Sequence, residues 1–300
     1  IFSQNLPEGF NRRFIAEKLA RYAKVNDMYL LALQAELAIG MLSYKSELTL
    51  PEVESLTLNE ILSYNSNRPL FPQLLEKYYL RNSLAGMQPK VSIPSASTIR
   101  TDRTVQQKDI IVKSFDSEFP LLTVNEFVCM EAARHCGLEP PATYLSENLE
   151  TYVVERFDKR ADGLRLGYED FTTLMKKSND PDAKYTGSYE ALLKATYLYT
   201  NSQAEVEKMY KYIVFNCLIG NGDAHLKNFA LQYLPDMSNI FVSPPFDITH
   251  TLIYPTIDNK MALKLANSKE FPNLQHLLKL AESSHFKIRR AKEIIEFLSD

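Results

Sequence analysis

The segment Gly220-Asn-Gly-Asp-Ala-His-Leu-Lys-Asn228 constrains this chain more than any other. It is polar and punctuated by glycine, is entered from the apolar stretch Tyr212–Leu218, and leaves into the apolar stretch Phe229–Tyr233. A helix feeding a short turn that feeds a strand holds the turn's side chains at the edge of a core. Within the turn, Asp223 is followed five positions later by Asn228. That is the Asp-x-x-x-x-Asn spacing of a kinase catalytic loop. One carboxylate must take the proton of an acceptor hydroxyl, and one amide oxygen, a short loop away, must face the metal that bridges the phosphates. The plain alternative is a connecting turn, because Asn, Gly and Asp are the commonest turn formers.

Shortly after Asn228 comes Ser243-Pro-Pro-Phe-Asp247-Ile-Thr-His250. An Asp just beyond a short strand is where a second magnesium ligand belongs, and a carboxylate with an amide oxygen suits a hard cation. The same Asp could simply cap the turn after Pro245. Upstream, Ile110-Ile-Val-Lys113 ends an apolar run in a lysine able to neutralise nucleotide phosphates, although most strand-end lysines are merely solvated. Glu126 or Glu131 on the next helix could orient it, and the spacing does not choose between them. Ser83-Leu-Ala-Gly-Met-Gln-Pro-Lys90 stands where a phosphate-covering loop is needed, but with a single glycine it satisfies neither glycine-rich nucleotide motif.

Around these segments the first third reads as helical, with Phe14, Leu19, Tyr22 and Ala23 at helical spacing and an Ala/Leu-rich run over Met28–Ile39. Asn65–Pro69 reads as a linker. Lys90–Ile93, Ile110–Phe115 and Tyr152–Val154 read as strands, with a helix over Val124–Gly137 between them. Helices follow over Glu190–Tyr199, Gln203–Leu218, Asn273–Ala281 and Ile288–Leu298, with short strands at Phe229–Tyr233 and Ile240–Val242. The division expected is an N-terminal helical segment (1–70), a nucleotide-binding lobe (71–156) and a helical lobe with the catalytic loop (157–300). The fold class is α+β.

The net charge of -3, from 34 basic and 37 acidic residues, supplies no basic stripe for direct nucleic-acid binding. No apolar run reaches the roughly 18 residues of a membrane span, and no signal peptide is visible. Cys129, Cys136 and Cys217 form no CxxC pair, which favours a reducing, cytoplasmic setting with the first two as core filling. Of five histidines, only His225 and His250 lie near the polar motifs; His135, His276 and His285 fall on or beside helices. A two-metal hydrolase usually recruits more histidine than that.

Taken in order, these segments resemble the HipA family of bacterial toxin kinases. Ser83–Lys90, Ile111-Val-Lys113, Asn125-Glu126, Gly137-Leu-Glu-Pro140, Val154-Glu-Arg-Phe-Asp158, Leu218–Phe229 and Phe246-Asp-Ile248 match its successive motifs over residues 80–255. Leu6-Pro-Glu-Gly9 is similar to part of its N-terminal region. The resemblance implies a two-lobed protein-kinase-like fold, with a small β-rich lobe and a larger helical one, using ATP and Mg2+. It casts Asp223 as the catalytic base. Ala85, Gly86, Met87, Gln88, Pro89 and Lys90 would cover the phosphates, Lys113 would pair with them, and Glu155, Arg156 and Phe157 would hold adenine. His225, Leu226, Lys227, Asn228, Phe246 and Asp247 would line the metal side, with Asn228 and Asp247 as ligands. Ser83 falls where family members phosphorylate themselves; the second serine that some carry two places later is Ala85 here.

The family implies a serine or threonine of an aminoacyl-tRNA synthetase as target. The short N-terminus resembles the HipT-like, three-component type, with a small HipS-like protein supplying an N-terminal subdomain and a DNA-binding HipB-like antitoxin. The alternatives are a catalytically silent kinase-like module, a small-molecule kinase and a metallophosphoesterase.

Overall fold

The structure is a computed structural model. It describes residues 2–34, 38–45, 55–81, 88–94, 97–100, 103–106, 109–115, 117–160, 162–283 and 288–299. The chain divides into two compact units, one made of residues 1–127 and 141–166, the other of residues 128–140 and 167–300.

The first unit opens with helices α1 (Gly9–Leu19), α2 (Asp27–Gln34), α3 (Leu58–Leu62) and α4 (Leu70–Tyr78). Thr57 starts α3 with a reciprocal cap: its hydroxyl accepts from the Glu60 N–H, while the Glu60 carboxylate accepts from the Thr57 N–H. Pro69 precedes α4 and Pro72 sits in its first turn, where a missing N–H breaks no intrahelical bond. The linker reading of Asn65–Pro69 therefore stops at a helix that periodicity had not revealed. Leu70, Phe71, Leu74, Leu75 and Tyr78 bury one face of α4, and this face supplies much of the unit's core.

That face packs on strands. β1 (Lys90–Ile93) and a separate hairpin of β2 (Ser97–Arg100) and β3 (Arg103–Gln106) are followed by β4 (Ile110–Lys113). Helix α5 (Leu122–His135) then leads to β5 (Thr143–Leu145) and β6 (Tyr152–Glu155). The sheet runs β1-β4-β6-β5, antiparallel throughout. Val91, Ile93, Ile110, Val112 and Val153 meet the α4 face, so Leu74→Ala would cost roughly 2–5 kcal/mol. A second cluster joins Ile15 and Leu19 of α1 to Leu30 and Leu33 of α2.

The second unit holds β7 (Gly167–Asp170), α6 (Phe171–Leu174), α7 (Tyr189–Thr200), α8 (Gln203–Leu218), β8 (Ala230–Tyr233), β9 (Ile240–Val242), α9 (Leu274–Ser283) and α10 (Ala291–Ser299). Ser188 and Ser202 cap α7 and α8, and Asn201 ends α7 in the left-handed conformation. Every residue from Tyr212 to Cys217 is buried, which makes the end of α8 a central helix rather than an amphipathic surface one. β8 is the middle strand of a β7-β8-β9 sheet. Glu205, in the first turn of α8, accepts from the Val242 N–H at 2.6 Å and ties that sheet to the helix. The loop between α8 and β8 is thus suspended between a buried helix and a central strand.

Most long elements fall where the pattern puts them, with α8, β1 and β9 matching to the residue. β2, β3, β5 and β7 have no counterpart in the sequence reading. The three cysteines are free thiols; Cys129 and Cys217 are buried. Among the described residues no helix is long and apolar enough to cross a membrane.

Candidate active site

In the first unit the chemistry gathers at the end of β4. Lys113 lies opposite Lys90 on β1 and opposite Tyr152 on β6. Its Nζ donates to Glu126 Oε1 on α5 at 2.5 Å and stands 5.7 Å from the Tyr152 ring centroid. The side chains of Lys113 and Glu126 are 6% and 1% exposed, so the pair is fully desolvated and each charge depends on the other. Glu131, the other candidate partner, faces Arg134 instead. Gln88 Nε2 donates to the Ser114 carbonyl at 3.0 Å, and the Ser114 N–H donates to the Pro89 carbonyl at 3.2 Å. Gln88, Pro89 and Lys90 are therefore bound to the strand that carries Lys113. Ser83, Ala85, Gly86 and Met87 lie outside the described residues.

The Glu155–Phe157 segment is fixed by its own polar groups. Arg156 is buried and donates from Nε and Nη2 to both carboxylate oxygens of Asp158, and from Nη2 to the Ala38 carbonyl. This bidentate contact holds the Asp158 carboxyl below its ordinary value against the opposing effect of burial. The Gly40 N–H also donates to Asp158, and Arg165 donates to the Ala38 carbonyl. The Arg156 side chain thus anchors the 38–42 strap. Glu155 accepts from the Tyr144 hydroxyl at 2.9 Å, and Phe157 is half-buried.

In the second unit the loop after α8 is built without slack. Asn221 Nδ2 donates to Asn216 Oδ1 at 2.7 Å, and Asn221 Oδ1 accepts from the Asp223 N–H at 3.1 Å. The Gly222 N–H donates to Thr251 Oγ1 at 2.8 Å; a Cβ on Gly222 would meet that oxygen at 2.8 Å and the Lys260 carbonyl at 2.7 Å. Gly220 has φ +72°, and a Cβ there would meet His250 Nδ1 at 2.7 Å, so neither glycine tolerates a side chain. Between Ile219 and Gln232 the single exposed residue is Asp223. Its Oδ1 accepts from the Tyr185 hydroxyl at 3.2 Å.

Asn228 is 4% exposed, and its orientation is set at both ends of the amide. Oδ1 accepts from the His225 N–H at 3.1 Å, and Nδ2 donates to Asp247 Oδ2 at 3.2 Å. Asp247 itself adopts φ +58°, a left-handed conformation that Asp tolerates better than most side chains and that gathers at functional positions. The Tyr212 hydroxyl of α8 lies 3.1 Å from the Asn228 carbonyl and 3.0 Å from the Phe246 carbonyl, sharing its proton between them, and accepts from the Phe246 N–H. One buried phenol therefore clamps both loops together, and burial pushes its own ionisation well up. Leu226 is fully buried and Lys227 half-buried. His225 is buried with its pKa lowered to about 3, first by desolvation and then by the charge of Lys184; Asp247 opposes the shift. It is a neutral imidazole at any ordinary pH.

Tyr185, Tyr212 and Thr251 escape sequence reasoning, because an isolated tyrosine or threonine carries no spacing signal. The group of Asn228 and Asp247 contains too few acidic or histidine ligands for an all-protein metal cage; among the described residues no cluster of three such ligands occurs. A carboxylate and an amide oxygen are nevertheless the donor set that magnesium takes when phosphates and water complete its shell.

The HipA-like C-terminal domain family matches residues 82–300. The chain belongs to that family. A Sinorhizobium fredii protein named "Putative kinase Y4dM" is 30% identical over 242 residues, covering 72% of this chain and 58% of that protein. The Shewanella oneidensis serine/threonine-protein kinase toxin HipA is 22% identical over 256 residues, covering 77% and 58%. The chain thus spans less than two thirds of the curated relatives it matches. The solved Shewanella oneidensis HipA, in complex with HipB and operator DNA, superimposes with a TM-score of 0.69 at 20% identity, covering 99% of this chain and 75% of that one. The fold is accordingly the α+β kinase-like fold of HipA.

Proposed function

We propose that this chain is an ATP- and Mg2+-dependent protein serine/threonine kinase. The observation that carries the reading is Asp223, the single exposed residue of a loop whose far end joins Asn228 to Asp247. The acceptor hydroxyl gives its proton to the Asp223 carboxylate as its oxygen bonds to the γ-phosphorus and ADP departs. Asn228 and Asp247 would hold Mg2+, which when bound neutralises charge on the transferring phosphate. Lys113, held by Glu126, is assigned to the α- and β-phosphates, and Gln88–Lys90 with residues 83–87 form the proposed covering loop. The backbone of Glu155–Phe157 is assigned to adenine. His225, Leu226, Lys227 and Phe246 are assigned to the metal side by resemblance, with the neutral His225 acting as a packed spacer rather than a proton carrier.

Kinase names among the relatives support phosphoryl transfer, and the HipA relative supports a protein acceptor. The toxin role, with an aminoacyl-tRNA synthetase as target and Ser83 as a self-modified residue, extends this by family resemblance. A HipB-like antitoxin is supported by the Shewanella complex. The small HipS-like partner of the HipT-like reading rests on resemblance alone, and co-purification with neighbouring gene products tests both partners.

The deciding experiment is incubation with labelled ATP and Mg2+, followed by mass mapping, for wild type and Asp223→Asn. The expected result is phosphate on Ser83 in the wild type and none in the variant. ATP binding with no label on any protein would replace this reading with a silent module.

A further inference from the structure

Asp223 projects from a rigid loop, yet its own carboxylate turns about two side-chain torsions. The Asn221 side chain holds the Asp223 N–H and Thr251 holds the neighbouring Gly222 N–H, which set where the Cα sits; the plane of the carboxylate is a matter for side-chain contacts. Proton transfer demands that plane, since a misdirected base loses most of the advantage of proximity.

The structure supplies an orienting group from elsewhere in the second unit. Pro181–Tyr185 forms a 3-10 turn, started by Asp180, whose carboxylate accepts from the Asp182 N–H at 2.8 Å. Its last residue is Tyr185. The Tyr185 ring meets the His225 imidazole edge-on at 5.3 Å between centroids and carries the Lys184 ammonium 5.0 Å from its centre. Lys184 and His225 are both buried, so the ring is held by groups that are themselves fixed. From this seat the hydroxyl donates to Asp223 Oδ1 at 3.2 Å. We infer that Tyr185 is a positioning residue, its hydroxyl setting the orientation of the Asp223 carboxylate for proton transfer. The inference rests on Asp223 being the base, as proposed above.

The test compares wild type, Tyr185→Phe and Asp223→Asn, using transfer from labelled ATP to a synthetic peptide spanning residues 78–94 and the 13C resonance of the Asp223 carboxyl. Phenylalanine keeps the ring seated on His225 and removes only the donor. The expected result is a kcat lower by roughly tenfold, with the KM for ATP within about twofold. The Asp223 resonance should move as the Tyr185 bond is lost. An unchanged resonance, or an unchanged kcat, overturns the inference. So does a rise in KM that accounts for the whole loss, which is the mark of general disturbance. Retained transfer in Asp223→Asn, or none by the wild type, would instead overturn the base assignment and the positioning role with it; the resonance would then show only that the contact exists.

Discussion

The side-chain amide of Asn228 donates to Asp247 Oδ2 at 3.2 Å, joining two residues 19 apart in sequence that share no secondary-structure element. If the pair holds Mg2+ as proposed, its two side chains are already together and little loop ordering is needed on binding. Asp247→Asn removes the charge and keeps the shape. It should lower magnesium-dependent phosphoryl transfer by about 100-fold with little change in melting temperature. Turnover measured across a magnesium titration checks this, and full activity in the variant would remove Asp247 from the metal.

Lys113 and Glu126 make a different prediction, because both are buried. Glu126→Ala should destabilise the fold by roughly 3–5 kcal/mol, since it leaves an ammonium desolvated and unmatched. The double variant Lys113→Met/Glu126→Leu should recover much of that stability and none of the activity. Urea denaturation beside an ATP-binding assay separates the two effects.

Tyr212 clamps the Asn228 and Phe246 carbonyls with one hydroxyl. Tyr212→Phe keeps the ring that packs 4.8 Å from Phe229 and removes the clamp. Stability should fall by about 1 kcal/mol for the lost bond, while kcat falls further because both loops gain freedom. A kcat that tracks stability alone would refute the clamp.

The depressed pKa of His225 fixes an acid response. Its folded value of about 3 lies below the ordinary 6.5, so the unfolded chain binds a proton that the folded chain refuses. The stability at stake is fully present above pH 6.5 and is lost progressively as pH falls from 6.5 towards 3. In metal-free buffer, His225→Gln should therefore flatten the decline of melting temperature between pH 6.5 and pH 4. Parallel curves for the two proteins would contradict the assignment.

The residues by themselves determined the long elements and the order of the motifs. The apolar run before Gly220, the central strand after Asn228 and the Asp-to-Asn spacing are local patterns, and local patterns survive in one dimension. Gly222 is legible as a turn glycine, although its need for zero side chain comes from Lys260 and Thr251, which are remote in sequence. Helix α4 was hidden because two prolines flank and enter its first turn, and only the sheet it covers makes its apolar face visible.

Tertiary structure alone decided which partner each charged group takes. Glu126 and Glu131 sit on one helix with equal claim to Lys113; the way α5 packs on β4 buries the first beside the lysine and leaves the second with Arg134. The Arg156 side chain takes Asp158 and the Ala38 carbonyl as partners, the latter 118 residues away in sequence. Tyr185 carries no signal at all until the fold sets its hydroxyl beside Asp223. The reason is common to all three: periodicity records which face a residue occupies, while the choice of partner depends on distances between elements that sequence spacing does not encode.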